Sequence, residues 1–121
     1  MKDKFKDLRI VDNFYQTSAF FPMPLTLIGT LDENGNTSFG AYSLVFPYYI
    51  AGKDFYAMVL ECRNSSNTCK GILRSGKCTI NFLPHSKKNF EEHVRLGFPG
   101  DTPEEKMKNF QFTLEEGLSS K

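Results

Sequence analysis

Residues 24–31, PLTLIGTL, set Leu25, Leu27 and Leu31 on one side of an extended chain and Thr26, Ile28 and Thr30 on the other. A period of two predicts a strand with one face more apolar. DENG at 32–35 follows, and Asn-Gly accepts the positive φ that a tight hairpin needs. Residues 36–45 read as the returning strand, with Gly40 and Ala41 inside it. Small residues within a strand mark a bulge or a close approach to the backbone. Pro47 is expected to end that strand, and Gly52 to turn the chain into DFYAMVLEC, residues 54–62, a third apolar strand.

The pattern then changes. Residues 63–76, RNSSNTCKGILRSG, fit a helix entered at Ser66 or Asn67, with Ile72 and Leu73 on its buried side and Gly76 as its stop. KCTINFL, residues 77–83, returns to period two with Cys78, Ile80 and Phe82 facing inward, and Pro84 closes it. SKKNFEEHVRLG, residues 86–97, predicts a short helix capped by Ser86, with Phe90 and Val94 at i, i+4. Thr102, Pro103 and Glu105 supply a capping Thr, a first-position Pro and a third-position Glu, so a last helix is expected to run to about Asn109. QFTLEEG, residues 111–117, reads as one more strand. Residues 1–20 are polar with scattered Phe, Leu and Ile and form a lead-in arm to a single domain spanning 1–121.

Hairpin, strand, helix, strand, then two short helices is too irregular for a doubly wound parallel sheet. The order favours a mainly β domain: a small antiparallel barrel with helices packed outside it. Composition narrows the function classes. Fifteen Lys and Arg nearly cancel fourteen Asp and Glu, leaving +1, so no strong field recruits nucleic acid or an anionic membrane. No apolar run reaches the roughly 18–20 residues of a spanning helix. The N-terminal MKDKFKDLRIVDNF lacks the apolar core of a signal peptide, which implies a cytoplasmic protein. Three Cys, at 62, 69 and 78, form no CxxC pair, and there are two His, at 85 and 93. Neither a disulfide framework nor a structural zinc site is expected. Each Cys reads as a small buried apolar residue, and each His as a solvent-facing residue near a helix end.

Two stretches permit chemistry. In RNSSNTCKGI, residues 63–72, a helix N-terminus offers N–H groups and the positive end of the helix dipole. A phosphate there is stabilised by both, with hydroxyls from Ser65, Ser66 and Thr68 and the charge of Arg63 adding contacts. The alternative is a plain cap, with one Ser or Asn bonded to the first turn and the rest in water. In NTSFGAYSLV, residues 36–45, a flat heteroaromatic ring could lie against small residues and accept hydrogen bonds from N–H groups between Ala41 and Leu44. The alternative is an ordinary hairpin strand.

The order of these pieces resembles the flavin reductase-like family of FMN-binding split β-barrels, which includes flavoredoxin-type proteins. A Pro-initiated strand, the DENGN turn, a small-residue strand ending in SLVFP, an apolar strand, RNSSNT entering a helix and then KCTINFLP carry the resemblance over residues 20–85. It implies non-covalent FMN in a homodimer, reduced by NAD(P)H, with electrons passed to a small-molecule or protein acceptor. It sets Ala41, Tyr42, Ser43 and Leu44 against the isoalloxazine ring, and Arg63, Ser65, Ser66, Asn67 and Thr68 around the ribityl phosphate. The chemistry would belong to the flavin, with no catalytic acid or base from the protein.

Two features depart from the family. Its members continue well beyond the equivalent of Lys121, so this chain is expected to be a shortened version or to take a missing wall from a partner. A single Pro47 with Tyr48 and Tyr49 replaces the usual double-proline step. A non-catalytic FMN-binding or electron-carrying module, and a truncated split barrel without cofactor, are the alternatives. No GxGxxG fingerprint separates NADH from NADPH.

Overall fold

The computed structural model describes residues 23–49, 52, 56–98 and 102–116; the lead-in arm lies outside them. In chain order the elements are β1 (Thr26–Leu31), β2 (Thr37–Tyr42), β3 (Val45–Tyr49), β4 (Tyr56–Leu60), α1 (Asn67–Ser75), β5 (Thr79–Phe82), α2 (Lys87–Gly97) and α3 (Pro103–Met107). The strands form two antiparallel sheets, one in the order β2-β1-β5 and the other pairing β3 with β4. The sheets are small and the helices short, as a mainly β class requires. The two sheets do not close into a barrel among the described residues.

The β1–β2 hairpin forms where DENG predicts it. Asp32 Oδ1 accepts the N–H groups of Asn34 and Asn36, both at 2.8 Å, and Gly35 takes a φ of 80°. The returning strand is shorter than expected and breaks at Ser43 and Leu44. Pro47 does not end a strand: it pairs with Met58 in the middle of β3. A two-stranded ribbon has two edges, so a residue without an N–H is tolerated there.

β1 is the centre of the fold. Thr26, Leu27, Ile28, Gly29 and Thr30 are all buried, so both of its faces are covered rather than one. Leu27, Ile28, Val45 and Leu96 are the buried apolar side chains among the described residues. Polar groups complete the interior. Thr26 Oγ1 donates to Tyr42 O at 2.6 Å, and His93 Nε2 lies 3.1 Å from Thr26 O and 3.4 Å from Tyr42 O. Both partners of Nε2 are carbonyl oxygens, so this nitrogen carries the proton.

His93 is therefore buried, against the expectation that it faces solvent, whereas His85 is exposed. The inner side of α2 is Glu92, His93 and Leu96; Phe90 and Val94 point outward. Buried carbonyls and amides demand polar partners, and that demand outweighs the apolar i, i+4 pair. Two other facing assignments also fail. Leu73 is exposed on α1, and so are Cys78, just before β5, and Phe82 at its end. No strand covers residues 111–116, and α3 stops at Met107. Helix ends follow the sequence closely: Ser66, Ser86 and Thr102 are the N-caps, and Gly76 closes α1 with φ 68°. No helix among the described residues is long and apolar enough to cross a membrane.

Glu92 fastens the C-terminal segment. It is 4% exposed and receives Arg95 Nε at 2.7 Å, Arg95 Nη2 at 2.6 Å and the Gln111 amide at 3.3 Å. Arg95 also donates to Lys106 O at 3.2 Å. The fastened segment lays Phe110 on Phe39, ring centroids 4.9 Å apart. Hydrogen bonds from Arg95 hold the Glu92 carboxyl below its ordinary 4.5, against burial, with the Arg95 charge and the Gln111 amide pulling the same way.

A depressed carboxylate stabilises the fold above its unfolded value, and that contribution disappears as pH falls through the folded value. The thermal midpoint of the native chain should therefore drop more steeply below about pH 4.5 than that of Glu92→Gln; equal slopes would remove this role. Arg95→Ala, which leaves Glu92 buried, should cost about 2–3 kcal/mol in denaturant unfolding at neutral pH.

Candidate functional site

A cleft of about 540 Å³ runs along β2, within the 300–1,000 Å³ range of small-ligand pockets. Three elements meet there because side chains are missing where they cross. A Cβ on Gly40 would overlap Thr68 Oγ1 and the Tyr42 ring. A Cβ on Gly71 would fall 2.7 Å from Thr30 Oγ1. These two glycines let α1 lie close against β2 and β1. On the neighbouring β2 position, Ala41 meets the C-terminal end of α2, where a Cβ on Gly97 would stand 3.6 Å away. Successive strand residues face opposite ways. The helices therefore approach from both faces, and the cleft follows the outer edge of β2, the terminal strand of its sheet.

The loop before α1 is built as a cap. Ser66 N–H donates to Arg63 O at 2.9 Å, closing a turn, and Ser66 Oγ accepts the Cys69 N–H at 3.1 Å. Ser66 is thereby committed to the helix start. Arg63 and Ser65 are exposed at the cleft mouth, and Asn67 opens the helix half-buried. Thr68 differs from its neighbours. It is 4% exposed, it lines the cleft, and its hydroxyl makes no hydrogen bond among the described residues. No buried side-chain oxygen or nitrogen among the described residues lacks a partner, so this hydroxyl opens onto the cleft.

The structure thus gathers Ala41, Tyr42, Arg63, Ser65, Ser66, Asn67 and Thr68 around one space. Ser43 and Leu44 lie outside its lining. Leu44 O instead accepts the Glu61 N–H at 3.0 Å, extending the β3–β4 ribbon by one pair. The Tyr42 carbonyl is already bonded to Thr26 and faces His93, so Tyr42 offers the cleft its ring rather than its oxygen. The far wall was not foreseen from sequence: Leu96 and Gly97 from α2, and Thr102, Pro103 and Lys106 from α3. The capping box of TPEE announces that helix but not where it docks. Lys106 Nζ donates to Leu96 O at 3.1 Å, which places a second cation beside the cleft together with Arg63.

Two thiols flank the loop. Cys62 precedes it, Cys69 lies in the first turn of α1, and both are half-buried. Burial pushes the Cys62 thiol up; the Cys69 sulfur against it pushes the same way, and a hydrogen bond with Ser66 pulls it down. No group of three His, Cys, Asp or Glu among the described residues could hold a metal ion. The arrangement offers an anion two cations, a helix N-terminus and an unused hydroxyl, and offers a planar group the outer edge of β2. No family model, curated protein or solved structure matches this chain.

The Gly40–Thr68 crossing can be tested directly. Gly40→Ala should destabilise the fold by about 1–3 kcal/mol, the usual cost of overpacking. Adding Thr68→Ala should recover part of that loss, because the overlapping oxygen is gone. A double-mutant cycle in denaturant with no coupling would show that the two residues do not meet.

Proposed function

We propose that this chain is a cytoplasmic, homodimeric, FMN-binding protein of the flavin reductase-like, split β-barrel kind. Its cofactor would take electrons from NAD(P)H and pass them to a small-molecule or protein acceptor. The observation that carries the reading is the 540 Å³ cleft into which Thr68, 4% exposed, brings a hydroxyl without a protein partner. That hydroxyl stands at a helix N-terminus beside Arg63 and Ser65, where a phosphate is favoured by dipole, charge and hydrogen bonds together.

The residues present fit FMN. Asn67 and Thr68 would hold the phosphate end through the first turn of α1, with Ser65 and Arg63 completing its shell. Gly40, Ala41 and Tyr42 would hold the ring end, since a terminal strand leaves alternate N–H and C=O groups unpaired along its outer edge. Bound FMN supplies the redox chemistry, so the protein's task is orientation and exclusion of water. Leu96 and Pro103 close the cleft from the other side with apolar surface.

A dimer agrees with the exposed apolar surface. Phe46, Tyr48 and Val59 on one face of the β3–β4 ribbon, and Tyr49 and Met58 on the other, are all exposed. A lone two-stranded ribbon is marginal in water, and large apolar patches mark interfaces.

Protein mixed with FMN and then desalted should keep flavin absorbance bands, and NAD(P)H should bleach them without air. Loss of all flavin on desalting, with no binding by fluorescence titration, would remove the reading. Thr68→Val keeps the side-chain volume and deletes the hydroxyl. It should weaken FMN binding by about 1–3 kcal/mol and leave riboflavin, which has no phosphate, nearly unaffected.

A further inference from the structure

We propose that a second cleft, between α1 and the end of the β1–β2 hairpin, binds a small zwitterion: a free amino acid with a short polar side chain, carrying one carboxylate and one ammonium group. This site does not depend on FMN.

The floor comes from the strand register. Thr30 of β1 stands opposite Ser38 of β2, so the two side chains share one face of the sheet. α1 crosses that face with Gly71 over Thr30. A space of about 210 Å³ remains between the helix, the DENG turn and the start of α3, and both Thr30 and Ser38 line it. That is below the 300–1,000 Å³ of drug-sized pockets, so the occupant is small. Thr30 is 6% exposed and Ser38 5%, and neither hydroxyl makes a hydrogen bond among the described residues. No buried side-chain oxygen or nitrogen among those residues lacks a partner, so both hydroxyls open onto space rather than into packed core. Ser38 lines the first cleft as well, so the two clefts adjoin.

The walls carry the charge. Lys70 and Arg74, one turn apart on α1, supply cations, and Glu33 from the turn and Glu104 from α3 supply carboxylates. Arg74 Nη2 donates to Leu31 O, which holds the guanidinium at the cleft. Asp32 also lines the space, but its oxygens already accept from Asn34 and Asn36 and belong to the turn. The ion pairs among the described residues, Lys87–Glu91 and Arg95–Glu92, lie on α2, so none of these four charges is paired with another. Opposite charges that share a cleft without touching leave room for a ligand that bridges them. Neither a simple anion nor a simple cation is matched by all four. A zwitterion is: its carboxylate suits Lys70 and Arg74, and its ammonium suits Glu33 and Glu104. Exposed charges alone are ordinarily solvated. The Thr30 and Ser38 hydroxyls beneath them make the floor, and they suit a short polar side chain.

The test is a titration of the full chain, without added FMN, by serine, asparagine and glutamine in turn, followed through backbone amide chemical shifts. Saturable shifts centred on Thr30, Ser38, Lys70 and Arg74 are expected with at least one of the three. Blocking either charge of that amino acid, as its N-acetyl or its carboxamide form, should weaken binding by about tenfold or more, as for the loss of a hydrogen bond to a charged group. Lys70→Gln and Glu104→Gln, both at exposed positions, should each weaken it similarly while the thermal midpoint stays unchanged. No saturable shift with any of the three, equal binding of the blocked forms, full affinity in both variants, or shifts confined to Ala41, Tyr42 and Gly97 of the first cleft would overturn the site. Tighter binding of glucose or of inorganic phosphate than of the amino acids would overturn the ligand class. Because FMN is absent throughout, failure here leaves the cofactor reading standing, and failure of that reading leaves this site standing.

Discussion

A helix can lie directly on a strand only where one of them has no side chain at the crossing. In this protein Gly71 of α1 sits on Thr30 of β1, and Gly40 of β2 sits under Thr68 of α1. Everything at the candidate site depends on this double approach. It brings the start of α1 to the edge of β2, turns the Thr68 hydroxyl toward the cleft beside a backbone edge, and fixes the width of the cleft. A methyl group at either glycine would push the helix away from the sheet, and anion-binding geometry and ring-binding surface would separate together. The glycines thus shape the candidate site through geometry, although neither carries a reactive group.

The interior around this crossing is held more by polar complementarity than by apolar volume. Only four apolar side chains are fully buried among the described residues, while Thr26, Thr30, Ser38, Thr68, Glu92 and His93 are buried too. At the end of the β1–β2 ladder the Tyr42 carbonyl receives the Thr26 hydroxyl, and the Thr26 and Tyr42 carbonyls face the His93 ring. Glu92 and Arg95, one turn of α2 away, receive the backbone of the C-terminal segment. Such a network ranks alternative packings sharply, because an unmatched buried donor costs about 1–3 kcal/mol whereas an apolar misfit is more easily absorbed. It also explains why α2 turns Phe90, Val94 and Phe98 outward.

What the sequence discloses and what it conceals follow from the same physics. Signals that act within four residues are legible: Asn-Gly at the hairpin, Ser66 and Thr102 as caps, Gly76 as a left-handed stop. Their energetics need no distant partner. The gathering of residues 41–42 with 63–68 was legible as two separate stretches, because each carries its own chemistry. Which way a helix faces was not. The burial of His93 is decided by carbonyls 51 and 67 residues away in sequence, and no periodicity records that. The α3 wall and the place of Pro47 within β3 depend likewise on partners that only the fold supplies.

The candidate site and the weakest feature of the sheet are one place. β2 ends its sheet, and an open edge presents unpaired N–H and C=O groups that invite pairing with other chains. Proteins blunt such edges with charge, proline, bulges or cover. Here α1 approaches from one face, α2 and α3 from the other, and the edge between them stays accessible at the floor of a cleft. A planar ligand with hydrogen-bonding groups on its rim would satisfy that edge as a further strand would, without the register ambiguity that makes open edges prone to aggregation. Binding and edge protection then act on the same backbone groups. Stability gained on ligand binding would appear in the β1–β2–β5 sheet before it appeared in the β3–β4 ribbon, which among the described residues pairs within itself and with no strand of that sheet.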